Sequence, residues 1–373
     1  MDDKPLRALF VNENIGGHAT LHHHLRTHLG PQLGVAASVY DVQPRGPVRR
    51  AVGARVQGLA RHDLDLQPLR AQLALSATVR RELRRRRGTY DVLHVYTHNA
   101  GLLAIGALQA GPAVVGLDAT NAQSYRLLPG RRPGLGTPAA IRVAQVFERR
   151  VHAAATLILS KSHWAAASLR SDYGIEEDRL RVVPLGIEVP VEPRAPVTAQ
   201  EPRRIAFIGQ TMDRKGGWRL LDLWRRELRP HCRLTLVTPE LVRPEPGLEV
   251  LNDVTVGDLR LEALLGQTSV LACPSEMDTF GYAAMEAMAM GVPVVADDIG
   301  AFREIIEDGR SGFVVPAGDD RSLGGALHRL VTDHHLNVRM GRAARERMIA
   351  HFNARRTTGQ LAAVLREAVA RHR

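Results

Sequence analysis

Asp278 and Glu286 stand eight positions apart in the segment 272–291, ACPSEMDTFGYAAMEAMAMG. An apolar run ends near Cys273, Pro274-Ser275 turn the chain, and an Ala- and Met-rich helix is expected to begin around Thr279 to Gly281. Along a helix, eight residues span roughly 12 Å. A carboxylate at one end can accept hydrogen bonds from two neighbouring ribose hydroxyls, the other can meet sugar hydroxyls, and the N–H groups at the helix start favour a diphosphate. The alternative is plainer: an N-cap aspartate and a solvated helix glutamate. Two Gly-Gly turns, Gly16-Gly17 and Gly216-Gly217, each follow a strand-like run, Leu6 to Val11 and Ile205 to Ile208. Such turns let backbone N–H groups approach a phosphate, although neither is the full dinucleotide fingerprint.

Other chemistries fit less well. His18 and His22 have the spacing of a zinc-protease helix, but Ala19 stands where the glutamate base is required. Asp63-Leu64-Asp65 has the Asp-x-Asp form of a metal-carrying loop, a three-residue pattern that chance supplies readily. No Walker loop or nucleophile elbow occurs, and with aromatics at 4% a base-stacking nucleic-acid surface is hard to build. No metal, no cofactor and no nucleic-acid partner are therefore expected.

Elements that would position these residues recur through the chain. Apolar runs expected to be buried parallel strands lie at 6–11, 92–96, 113–117, 156–159, 205–208, 234–237, 270–272 and 292–296, with helical patterns mostly between them. Alternation of this kind predicts an α/β fold of two doubly wound, Rossmann-like domains facing across a cleft, with ligands beyond the carboxyl ends of the strands. A length of 373 residues suits two such domains. The proline-rich stretch 189–202 has linker composition. The division is placed at 1–187 and 188–350, with 351–373 a helix able to cross back to the first domain.

Composition sets the wider bounds. No stretch approaches the roughly 20 apolar residues of a membrane span. The opening MDDKP is not built like a secretion signal, so a cytoplasmic location is expected. Cys232 and Cys273, the only cysteines, lie in apolar runs and read as buried thiols. The net charge is +11, and only Lys4, Lys161 and Lys215 among the 50 basic residues are lysines. The arginine-rich run 80–87 closes a helical pattern; it reads as a solvated helix end or as a patch for peripheral contact with the inner face of an anionic membrane.

The segment from Asp278 to Glu286, with Gly291-Val292-Pro293-Val294-Val295, resembles the acid, seven residues, glutamate signature of retaining GT-B glycosyltransferases of family 4. Supporting matches are Pro184 to Glu188, Gly209 to Lys215, Pro274-Ser275, Arg303-Glu304-Ile305 and Gly312 to Pro316, so the likeness is strongest over 155–350. It implies transfer of a hexose-type sugar from a UDP- or GDP-sugar to a glycan, lipid-linked or small-molecule acceptor, with retention and without a metal. By resemblance Glu286 would hold the ribose. Asp278, with Thr279 and the Phe280 and Gly281 backbone, would hold sugar and diphosphate, and Lys215 would neutralise the departing phosphate. The family often has an arginine where this chain has Gln210, leaving Arg214 or Lys215 to carry the charge. A histidine that usually follows the strand 113–117 is replaced by Asp118, which could bind a sugar hydroxyl. His98 and Asn99, after the strand 92–96, are acceptor-side candidates, with ring packing or a turn as the alternative. A nucleotide-sugar 2-epimerase of the same architecture, and a non-catalytic basic lipid- or nucleic-acid-binding protein, are the rival readings.

Overall fold

A computed structural model describes residues 4–13, 18–42, 52–56, 58, 66–126, 136–191, 203–254 and 258–372. The Gly16-Gly17 turn, the Asp63-Leu64-Asp65 triplet and most of the proline-rich stretch lie outside the described residues, as does the side chain of His18. The chain divides into two compact units, Met1–Gly186 with Ala354–Arg373, and Ile187–Asn353.

Each unit is built on a six-stranded, wholly parallel sheet. The first sheet comprises β1 (Leu6–Asn12), β2 (Val35–Asp41), β3 (Val92–Tyr96), β4 (Ala113–Leu117), β5 (Leu157–Ser160) and β6 (Leu180–Val182), in the order β2-β1-β3-β4-β5-β6. The second comprises β7 (Arg204–Ile208), β8 (Arg233–Val237), β9 (Leu248–Leu251), β10 (Val270–Cys273), β11 (Val294–Asp297) and β12 (Gly312–Val315), in the order β12-β11-β10-β7-β8-β9. Every residue of β3 and β4 is buried, as a parallel strand covered on both faces requires. All eight apolar runs read as strands are strands. Four strands were not expected, and they are the four sheet edges, β2, β6, β9 and β12.

The helices cover these sheets. In the first unit, Val79, Leu83, Val151 and Leu169 join strand residues such as Leu93 and Val115 in one core, and the helix Ala354–His372 packs on β3 and β4. The second core gathers around Trp224, whose indole N–H donates to the Cys232 carbonyl. The helix Tyr282–Ala289 stops where Gly291 takes φ 78° and Pro293 lacks an N–H to continue it. No helix among the described residues is long and apolar enough to cross a membrane.

Candidate active site

Sequence order in the second sheet reverses direction between β7 and β10. Loops leaving the carboxyl ends of these two neighbours diverge, which is where open α/β sheets bind ligands. Lys215 is on the loop after β7 and Asp278 is on the loop after β10. The first loop is a tight turn: the Lys215 N–H donates to Thr211 O, Gly216 to Asp213 O and Gly217 to Met212 O. Gly216 has φ 72°, and a Cβ there would lie 1.8 Å from the Pro274 carbonyl oxygen. Only glycine lets the loops approach so closely. They are joined by the Glu276 N–H donating to Arg214 O at 3.0 Å.

Within this frame the Asp278 carboxylate receives three donors. Lys215 Nζ lies 2.6 Å from Oδ2, and the N–H groups of Thr279 and Gly281 donate to Oδ1 at 2.9 and 3.2 Å. Both side chains are partly accessible, 21% for Lys215 and 14% for Asp278. The carboxylate therefore caps its own loop, as the plainer alternative had it, and also pairs with the Lys215 cation. Phe280 is buried. Gln210 is exposed, and Arg214 is half-buried with Nε near Thr211 Oγ1.

Glu286 is half-buried on the helix Tyr282–Ala289. Desolvation pushes its carboxyl up to about 7. One turn earlier, the buried Tyr282 hydroxyl has no hydrogen-bond partner, and burial and the Glu286 charge both raise its pKa. Sequence reading missed Arg219, which bridges Asp297 at the end of β11 and Asp320 at the start of the helix Asp320–Thr332. A basic residue four places after Lys215 and an acid closing a strand were the available signals.

In the first unit the polar residues at the sheet's carboxyl edge gather around Glu148, while the ring nitrogens of the buried His98 and His152 have no hydrogen-bond partner. His98 is buried, with Nε2 3.4 Å from Glu148 Oε1 and its ring against His152. Glu148, fully buried, also accepts the Asn121 N–H at 3.2 Å and the Tyr173 hydroxyl. Ligand-type atoms of His98, Glu148 and His152 lie within 4.8 Å of one another, the one such group of three among the described residues. Of the three, the Glu148 carboxylate alone is hydrogen-bonded, tying the N–H that opens the helix Asn121–Arg126 and the Tyr173 phenol to the helix Thr137–Ala154. Burial and the neighbouring His98 keep His152 well below the ordinary histidine range. Neither His98 ring nitrogen has a hydrogen-bond partner, and Asn99 is half-buried with Oδ1 lacking one.

Asp118 is half-buried after β4 and interacts electrostatically with Lys161, which follows β5. Lys161 is buried, its ammonium 5.5 Å from the centre of the Tyr96 ring. Burial pulls the amine down to about 8, against the opposing pull of Asp118. Its rarity as one of three lysines was the only sequence signal for this residue.

Two parallel doubly wound sheets, with Lys215 and Asp278 meeting on a glycine-shaped loop pair at a switch point, fit the class of GT-B glycosyltransferases, which act on nucleotide-sugar donors. Two family models match: the glycosyl transferase 4-like domain over residues 16–186 and glycosyl transferases group 1 over 202–333. Phosphatidyl-myo-inositol mannosyltransferase of Mycobacterium leprae is 31% identical, with 74% of each chain covered. D-inositol 3-phosphate glycosyltransferase of Acidothermus cellulolyticus is 28% identical over 93% of this chain and 81% of that protein. Among solved structures, Anabaena HepE in complex with UDP-glucose superposes with a TM-score of 0.68, at 16% identity, over 97% of this chain and 100% of that one. This chain belongs to the group 1 glycosyl transferases, family 4.

Proposed function

We propose that the second unit binds a UDP- or GDP-hexose through the loops after β7 and β10, and that the first unit carries the acceptor. The observation that carries this reading is the meeting of Lys215, Asp278 and the loop N–H groups at the sheet's switch point, with Glu286 further along the same segment. Glu286, when ionised, accepts the two ribose hydroxyls; Lys215 with the loop N–H groups stabilises charge gathering on the leaving diphosphate. Asp278 reaches the sugar hydroxyls, and Asp118 binds a hydroxyl of the reacting groups. The leaving phosphate takes the acceptor's proton on the face it departs from, so configuration is retained and no side-chain nucleophile or metal is required.

Relatives whose names specify inositol phosphate or phosphatidylinositol as acceptor favour a polyol or lipid-linked acceptor here. Exposed Arg80, Arg81, Arg84, Arg85 and Arg87 supply the charge for peripheral contact with an anionic membrane, and a cytoplasmic setting suits this donor chemistry. Incubating the chain with UDP- and GDP-hexoses and lipid or polyol acceptors, in the presence of a chelator, tests the reading. The expected product keeps the donor's anomeric configuration by NMR; an inverted linkage, or release of free sugar nucleotide intermediate without acceptor, contradicts it.

A further inference from the structure

The Asp278 carboxylate lies where an anion is best held. An ammonium approaches one oxygen at 2.6 Å and two backbone N–H groups approach the other at 2.9 and 3.2 Å. A terminal or bridging oxygen of a diphosphate seeks the same three donors. The side chain is short enough to fold back on the N–H groups of its own loop, an Asx-type turn that one more methylene would disfavour. The loop backbone has little freedom to yield instead. The Glu276 N–H is fixed to Arg214 O, the Ala301 N–H donates to Thr279 O, and Gly300, at φ 55°, leaves no room between its α-carbon and the Asp278 carbonyl. A Cβ on Gly300 would lie 2.3 Å from that oxygen. The side chain is thus the movable part of a fixed cradle.

Building on the proposed donor site, we propose that Asp278 is an internal stand-in for the donor's diphosphate, which it must vacate when the donor binds. A carboxylate and a diphosphate within a few ångströms repel, so the two anions compete for Lys215 and the loop N–H groups. An intact nucleotide sugar compensates the displaced carboxylate by offering it sugar hydroxyls. A nucleoside diphosphate offers none. The site therefore discriminates against its own product, and Asp278 re-enters the cradle as the diphosphate leaves.

The test is calorimetric titration of the full chain with UDP and GDP, and with UDP- and GDP-hexoses, for wild type, Asp278→Asn, Asp278→Ser and Lys215→Ala. Asn and Ser both keep an oxygen for the loop N–H groups and remove the competing charge, so one serves if the other folds poorly by circular dichroism. Each is expected to bind the nucleoside diphosphate at least about tenfold more tightly than wild type, while affinity for the nucleotide sugar rises less or falls. Equal or weaker diphosphate binding by both variants overturns the stand-in role. Lys215→Ala separates this from the donor site itself: unchanged diphosphate affinity there removes the proposed site, whereas weakened affinity there without tightening in the Asp278 variants removes only the stand-in. Thermal stability supplies an independent readout, since a merely structural cap predicts lower stability and no gain in diphosphate affinity.

Discussion

The carboxyl edges of the two sheets share an architecture and differ in what their polar groups do. In the first unit, the buried Glu148 spends its lone pairs on the Asn121 N–H and the Tyr173 hydroxyl and lies beside the buried His98. In the second, Lys215 and Asp278 are partly accessible, and Glu286 is desolvated without a fixed charge partner to hold its proton off. A buried carboxylate whose lone pairs are satisfied stabilises a fold; half-buried groups carrying charge near solvent are placed to exchange partners. The same Rossmann-like frame thus carries a buried, hydrogen-bonded carboxylate at one edge and accessible charged groups at the other.

Substitutions can break that contrast. Removing the cation with Lys215→Ala is expected to lower turnover about 100-fold or more, because charge on the leaving phosphate grows toward the transition state. Steady-state rates against unfolding midpoints check it, and a large loss of stability with normal turnover would place Lys215 with the structural groups. The reverse outcome is expected for Glu148→Ala. Stranding the Asn121 N–H and the Tyr173 hydroxyl inside the first unit should cost roughly 2 to 3 kcal/mol in urea unfolding, with Glu148→Gln losing less. Stability within about 0.5 kcal/mol of wild type would show that the Glu148 carboxylate is not an anchor.

The pH dependence sharpens the contrast further. Desolvation pushes the Glu286 carboxyl up to about 7, and the proposed ribose contact needs it ionised. Affinity for a nucleotide sugar, whose esterified phosphates do not titrate in this range, should be level above about pH 8 and fall up to about tenfold per unit below 7. The slope should vanish in Glu286→Gln, and a slope that persists there assigns the titration to another group. The smallest effect concerns the surface. Flotation with anionic liposomes at low salt should recover the chain and release it as salt rises. Replacing Arg84, Arg85 and Arg87 by glutamine should weaken that binding several-fold, at roughly 1 kcal/mol or less per charge.

Interior strands were legible because burial on both faces leaves uninterrupted apolar runs, as in Val92–Tyr96 and Ala113–Leu117. The four edge strands were not. In β2, Ala36, Ala37 and Ser38 are exposed, and in β9 only Leu248 is buried, so neither run carries a two-faced apolar signature. At the candidate site, the eight-residue spacing of Asp278 and Glu286 was readable as a local pattern on one turn and helix. Pairings across the fold were not: Lys215 and Asp278 are 63 residues apart, and Asn121 and Glu148 are 27 apart. No periodicity encodes such contacts. The surroundings of His98 likewise depend on Glu148 and His152, residues that only the packing of the helix Thr137–Ala154 brings to it.

The central claim, that the donor is held by the loops after β7 and β10 and by the helix that follows, is tested most directly by nucleotide binding to a double variant. Calorimetric titration of the full chain with UDP and GDP should give saturable binding of one nucleotide per chain. Glu286→Ala alone should weaken it by roughly 2 to 4 kcal/mol through two lost charge-assisted hydrogen bonds. Glu286→Ala combined with Lys215→Ala should abolish measurable binding while the protein stays folded. Wild-type affinity in the folded double variant would contradict the account.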